Sequence, residues 1–138
     1  MRCGHENVGE KMLSRENIAE WRLYAPALRE ADFSDGETLY RQGEEPGFLH
    51  CVTRGVVRLS HVAESGAQLT LAIAKAGDLF GRLSAGGASA HAASAIGEAR
   101  VLMFAPVDAE RLLIKSPSFS IFLSSGLEAS RERAERRL

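Results

Sequence analysis

Hydrophobic residues recur with two different periods over three segments of the chain. From Ser14 to about Arg29 the period is helical. Ile18, Trp21, Ala25 and Leu28 share one face, Tyr24 borders it and Leu23 falls off it, with Ser14 placed to cap the first turn. Pro26 weakens the middle of this helix. From Ala31 to Pro106 the pattern becomes short strands punctuated by turns. Strands are expected around Phe33, at Thr38 to Arg41, over Phe48 to Ala63 with a bend or bulge at Gly55, and over Gln68 to Ala74. Asp35-Gly36 and the cluster from Gly43 to Gly47 are turns, and "ESGA" at 64–67 is a hairpin connection. "GDLFG" is a short strand between glycines. "ASAHAASAI" and "RVLMFAP" read as an antiparallel pair turning at Gly97-Glu98.

After Pro106 the helical period returns. Asp108 is a candidate cap for a short helix to Lys115, with Leu112 and Leu113 facing inward. Ser116-Pro117 then supplies a cap and a first-turn proline for a last helix to Leu138. Phe119, Leu123, Leu127, Ser130 and Ala134 form a seam on it that could face a partner helix, with Gly126 inside it costing about 1 kcal/mol against alanine. The expected fold is mainly β with flanking helices: a sandwich or jelly-roll over residues 31–106, preceded by a tail and helix over 1–30 and followed by two helices over 107–138.

Composition narrows the function. At 138 residues with 45% hydrophobic and 25% charged content the chain suits one globular domain. A net charge of −1 counts against a complete DNA-binding protein. No apolar run reaches membrane length and the polar start "MRCGHENVGEKM" has no signal core, so the expected compartment is the cytoplasm, with no membrane partner. Cys3 and Cys51 are too few for a zinc knuckle or an iron–sulfur cluster. No Gly-x-Ser-x-Gly elbow, HExxH or Walker loop is present, and His61 and His91 lack the partners of a cupin metal site, so catalysis is not expected. Arg131, Arg133, Arg136 and Arg137 alternate with Glu132 and Glu135, as on a solvated helix flank rather than a DNA-binding face.

The run "GETLYRQGEEPGFLHCVTRGVVRLSHVAESGAQLTLAIAKAGDLFG", followed by "VLMFAPVDAERLLIKSPSF", resembles the cyclic-nucleotide-binding fold, in particular the sensor half of Crp/Fnr-type bacterial transcription regulators. The resemblance runs from about Phe33 to Leu138. It implies an eight-stranded β-roll (a double-stranded β-helix, or jelly-roll) and a long C-terminal dimerisation helix pairing two copies. It also implies a DNA-binding helix-turn-helix domain that this chain lacks, so that DNA would be reached only through that missing domain. The ending "RERAERRL", with no closing cap, favours a cut helix; a sensor fragment and a stand-alone domain both stay open.

The resemblance also locates a phosphate cassette. Phe80 and Gly81 match its start. Arg82 stands where nucleotide-binding members carry the glutamate that holds the ribose, Leu83 and Ser84 follow, and the loop "SAGGA" is short. Ser89 and Ala90 stand at the phosphate arginine and its neighbour, and Ala134 and Glu135 where hydroxyls would meet adenine. Loss of the arginine removes a contact worth about 1.5–3 kcal/mol. The cassette is thus degenerate, the expected ligand is not cyclic AMP in the usual mode, and Arg82 is the candidate anion partner in a rearranged site. A plain loop with Arg82 in solvent is the simpler reading. Two alternatives stand beside a ligand sensor: a ligand-free dimerisation module, and a haem-binding gas sensor. Haem would need an axial donor from His5, His50, His61, His91, Cys3, Cys51 or a methionine. His91, just after the cassette, is the candidate, although a lone strand histidine is more often structural. His50 and Cys51, as strand neighbours, face opposite ways.

Overall fold

The structure is a computed structural model that describes residues 8–45, 47–81 and 91–136, with side chains through Gly126. The elements run α1 (Val8–Met12), α2 (Arg15–Tyr24), β1 (Arg29–Phe33), β2 (Thr38–Tyr40), β3 (Leu49–Val62), β4 (Gln68–Ala74), β5 (Leu79–Gly81), β6 (Ala92–Phe104), α3 (Pro106–Lys115) and α4 (Pro117–Arg136). The six strands form one antiparallel sheet in the order β1-β6-β3-β4, with β2 added to β6 and β5 to β3.

The spine of the sheet is a ribbon of β3 against β6. Leu49–Val52 pair with Phe104–Val101, and Val56–Ser60 with Ile96–Ala92, with register shifts around Gly55. Gly55 has φ +83, and a Cβ there would collide with the Glu98 carbonyl, so the bend needs glycine. The local pattern predicts a hairpin turn at Gly97-Glu98. Instead β6 runs straight through it, bending with β3 across the ribbon. Where the resemblance implies eight strands, the described residues form six, because β3 and β6 each carry on through a bend where the chain could have broken into separate strands.

Several ends differ from the sequence reading. The first helix stops at Tyr24, with Ala25 already out of helical geometry, because Pro26 has no N–H to continue the ladder and restricts the residue before it. The chain then enters β1 at Arg29, two residues before the expected boundary. Ser14 does cap α2, its side chain accepting from the Asn17 N–H at 3.1 Å. Asp108 is not a cap: Ala105 takes that position without a side-chain bond. The buried Asp108 carboxylate sits inside the first turn and accepts from Arg111 at 3.3 Å. Leu112 is buried as expected, but Leu113 is 38% exposed. Ser116 caps α4 as expected, its Oγ accepting from the Phe119 N–H at 3.3 Å. Residues 137–138 of the last helix lie outside the described residues.

The two faces of the ribbon carry two cores. On one, α2, α3 and α4 pack Trp21, Leu112, Phe119, Phe122 and Leu123, with Leu28 from the connection to β1, against Leu49, Cys51, Leu102 and Phe104. Trp21 is the hub, with Phe104, Phe119 and Phe122 at 4.9–6.0 Å between ring centroids. Its indole N–H donates to Ser118 Oγ at 3.0 Å, and Ser116 and Ser118 each donate to Glu20 at 2.7 Å, which holds that carboxyl below its usual pKa. On the other face the roll closes over Tyr40, Val52, Val57, Leu59, Phe80 and Val101, with Ala72, Ala74, Ala93, Ala95 and Ala99 between them.

Of the expected dimer seam, Phe119 and Leu123 are 0% and 4% exposed and pack within the chain's own helical core. A stripe at helical spacing shows which face is covered, not by what. The side chains of Leu127, Ser130 and Ala134 lie outside the described part of α4. No helix among the described residues is long and apolar enough to cross a membrane.

Candidate functional site

The expected phosphate cassette would start on β5. This three-residue strand hangs on the edge of β3, with Leu49 opposite Gly81, His50 opposite Phe80 and Cys51 opposite Leu79. Strand alternation then sorts the side chains. Leu79 and Cys51 go to the helical core, while Phe80 and His50 go into the roll. The expected opposition of His50 and Cys51 is what the structure has. Phe80 stacks on the His50 ring at 5.0 Å and 14°. Tyr40 lies beside both, 5.4 Å from His50 and 6.4 Å from Phe80.

Gly81 is fixed by this packing. Its φ is +95, and a Cβ would sit 2.7 Å from both His50 Nδ1 and the Phe48 carbonyl oxygen. Only glycine lets the chain leave β5 here. On the far side of the cassette, His91 Nε2 and the Tyr40 hydroxyl share a 2.7 Å hydrogen bond, with the rings 5.6 Å apart. Tyr40 therefore touches both flanks of the cassette. Arg82, Leu83, Ser84, Ser89 and Ala90, named as site residues from the sequence, lie outside the described residues.

His50 has an unusual setting. It is 1% exposed, and its Nδ1 is sealed from solvent without a hydrogen-bond partner. Burial lowers its pKa from 6.5 to about 4, the Phe48 carbonyl offsetting this in part without completing a well-formed bond to Nδ1. The ring is neutral at pH 7. Cys51 is fully buried, and its thiol is pushed far up by burial, first of all, and by the Asp78 charge, which favours the protonated thiol over the thiolate.

These settings bear on haem. The Nε2 of His91 is engaged by Tyr40, His50 is walled in by Gly81 and Phe80, and the Cys51 thiol faces the helices. Among the described residues no three His, Cys, Asp or Glu side chains come together as a metal site.

The helical end of β5 meets α4. A Cβ on Gly126 would overlap the Leu79 side chain, which is itself buried. The glycine that looks costly within the helix is the point where α4 closes onto the strand that opens the cassette. Sequence reasoning misses this pair and misses Tyr40 and His50 as neighbours of the cassette. Only the inward parity of those two residues on their strands points that way.

Comparison with known proteins agrees with the geometry. By structure the chain is similar to the catabolite activator protein of Thermus thermophilus, at 24% identity and a TM-score of 0.71, over 91% of this chain and 58% of that one. It is also similar to the CO-dependent transcription factor CooA of Carboxydothermus hydrogenoformans, at 23% identity and 0.66, over 97% and 57%. A third likeness, at 24% identity and 0.64, is to the N-terminal domain of a transcriptional regulator from Streptomyces coelicolor A3(2), over 91% and 88%. The chain spans little more than half the length of the first two. No curated protein matches the sequence. The family model for the cyclic nucleotide-binding domain matches residues 30–116, from β1 to just past α3, and the chain belongs to that family.

Proposed function

We propose that this chain is the effector-sensing and dimerisation domain of a Crp/Fnr-type transcription regulator, with a cassette that does not take cyclic AMP in the usual mode. The observation that carries the reading is the Leu79–Gly126 contact. It joins the strand leading into the cassette to the helix that would transmit the signal. A ligand that draws Phe80 and Gly81 inward moves Leu79 with them, and α4 must follow or lose its packing. The signal then works by preferring one arrangement of α4 over another. Arg82, in place of the ribose-binding glutamate, favours an anionic group bound from that end of the cassette, and Ser89 gives it no arginine opposite. In this reading a second copy pairs along the exposed side of α4, where Ile121 is 55% exposed, and DNA is bound by a domain outside this chain.

Thermal unfolding with cyclic AMP, cyclic GMP and cyclic di-GMP tests the ligand. Binding to the folded state raises the melting temperature by mass action. No shift with cyclic AMP is expected. A cyclic AMP shift that survives Arg82→Ala would overturn the degenerate-cassette reading. Sedimentation tests the pairing: a dimer that Ile121→Glu turns into a monomer is expected, and a wild-type monomer at high concentration would contradict it.

A further inference from the structure

We infer a binding site for a small multivalent oxyanion on the outer face of the roll, distinct from the residues the resemblance names as a cassette. Leu59 points into the roll, so Arg58 beside it points out. Arg58 lies across from Ser94 on β6, and Ser94 across from Thr38 on β2, which puts the three in one row across three strands. Next to this row is a groove of about 570 Å³, walled also by Arg41, Gln42 and Gln68. That volume is within the range of small-molecule sites, roughly 300–1,000 Å³.

The polar groups of the groove divide into two sets. Gln42 and Gln68 hold the wall together. Gln42 accepts from the Val62 N–H at 2.7 Å, and Gln68 donates to Ser60 Oγ at 3.0 Å. The side chains of Thr38, Arg41, Arg58 and Ser94 make no hydrogen bond or ion pair among the described residues. Arg58 Nε is sealed from solvent with no acceptor, an arrangement that costs free energy unless something supplies one. No carboxylate among the described residues lines the groove, and Glu44 nearby accepts from the Arg41 backbone N–H at 2.9 Å rather than from either guanidinium. Two unpaired guanidinium groups and two hydroxyls thus face one cavity, the donor set that recognises phosphate or carboxylate oxygens.

A neighbouring cavity shows the contrast. It has about 500 Å³ and also two arginines, Arg54 and Arg100, but Asp32 and Glu98 line it, and Arg100 is already paired with Asp32 at 2.8 Å. Its charge is answered within the chain; that of the Arg41–Arg58 groove is answered by no ion pair among the described residues.

Calorimetric titration at physiological salt with inorganic pyrophosphate and, separately, citrate tests the site and tells phosphate from carboxylate. Saturable binding of at least one probe is expected, weakened about tenfold or more by Arg58→Met, which keeps the packed stem, and by Arg41→Gln. Arg54→Gln should leave it unchanged. Arg41 is exposed, so its variant folds and carries the test alone if Arg58→Met does not fold. No saturable binding of either probe, binding that survives the groove substitutions, or equal weakening by Arg54→Gln would each overturn the inference.

Discussion

The β3–β6 ribbon has a core on each face, and the two are built differently. The helical face is filled by Trp21, Phe104, Phe119 and Phe122 in mutual contact, with the indole N–H satisfied. The roll face has alanines at five positions and a buried histidine with an orphaned nitrogen. Large interlocking rings make a structural anchor with little freedom to rearrange. Small side chains and an unsatisfied polar group leave the other face less tightly determined, and under the proposed function it is the sensing side. In that reading one sheet separates support from sensing, and Leu79, on the short strand leading to the expected cassette, is where the two sides touch.

Substitutions can break this contrast. The largest effect is expected from Trp21→Ala, which should cost about 3–5 kcal/mol in denaturant unfolding, because it removes the hub of the aromatic face. Next comes the pH dependence of His50. Its folded pKa of about 4 lies below the ordinary 6.5, so the unfolded chain takes up the proton first as pH falls. Its contribution is present above pH 6.5 and is lost as pH drops toward 4, by up to about 3 kcal/mol. A melting-temperature profile from pH 7 to 4.5 should fall steeply in the wild type and less in His50→Leu; parallel profiles would show that His50 is not the group responsible. Gly81→Ala should cost about 1–3 kcal/mol, through positive φ and the clash with Phe48 and His50. The smallest effect is expected of Tyr40→Phe. Loss of the bond to His91 should cost about 0.5–1.5 kcal/mol and leave the near-ultraviolet signal of Trp21 unchanged.

Much of this architecture is legible in the residues. Strand and helix periods, the Gly55 bulge and the Ser14 and Ser116 caps all follow from local pattern, while Phe80-Gly81 as the start of a cassette comes from the family resemblance alone. What is not legible depends on distant partners. Gly97-Glu98 carries the same signal as a hairpin turn, and only β3 lying alongside makes it a bend. Phe119 and Leu123 form a stripe that a partner helix or the chain's own core could cover, and α2 decides it. The short helix α1 has no clear period. It forms where Met12 and Leu13 find the aromatic core. Tyr40 meets His91 across 51 positions, which no motif spacing encodes.

The most direct test of the coupling is an amide NMR spectrum of Gly126→Ala. If β5 and α4 act as one unit, the added methyl displaces Leu79, and the largest shifts away from the substitution fall on Leu79–Gly81 and on their β3 partners Leu49–Cys51. Shifts confined to α4 and its helical neighbours would contradict the account, leaving the long helix without a mechanical link to the cassette.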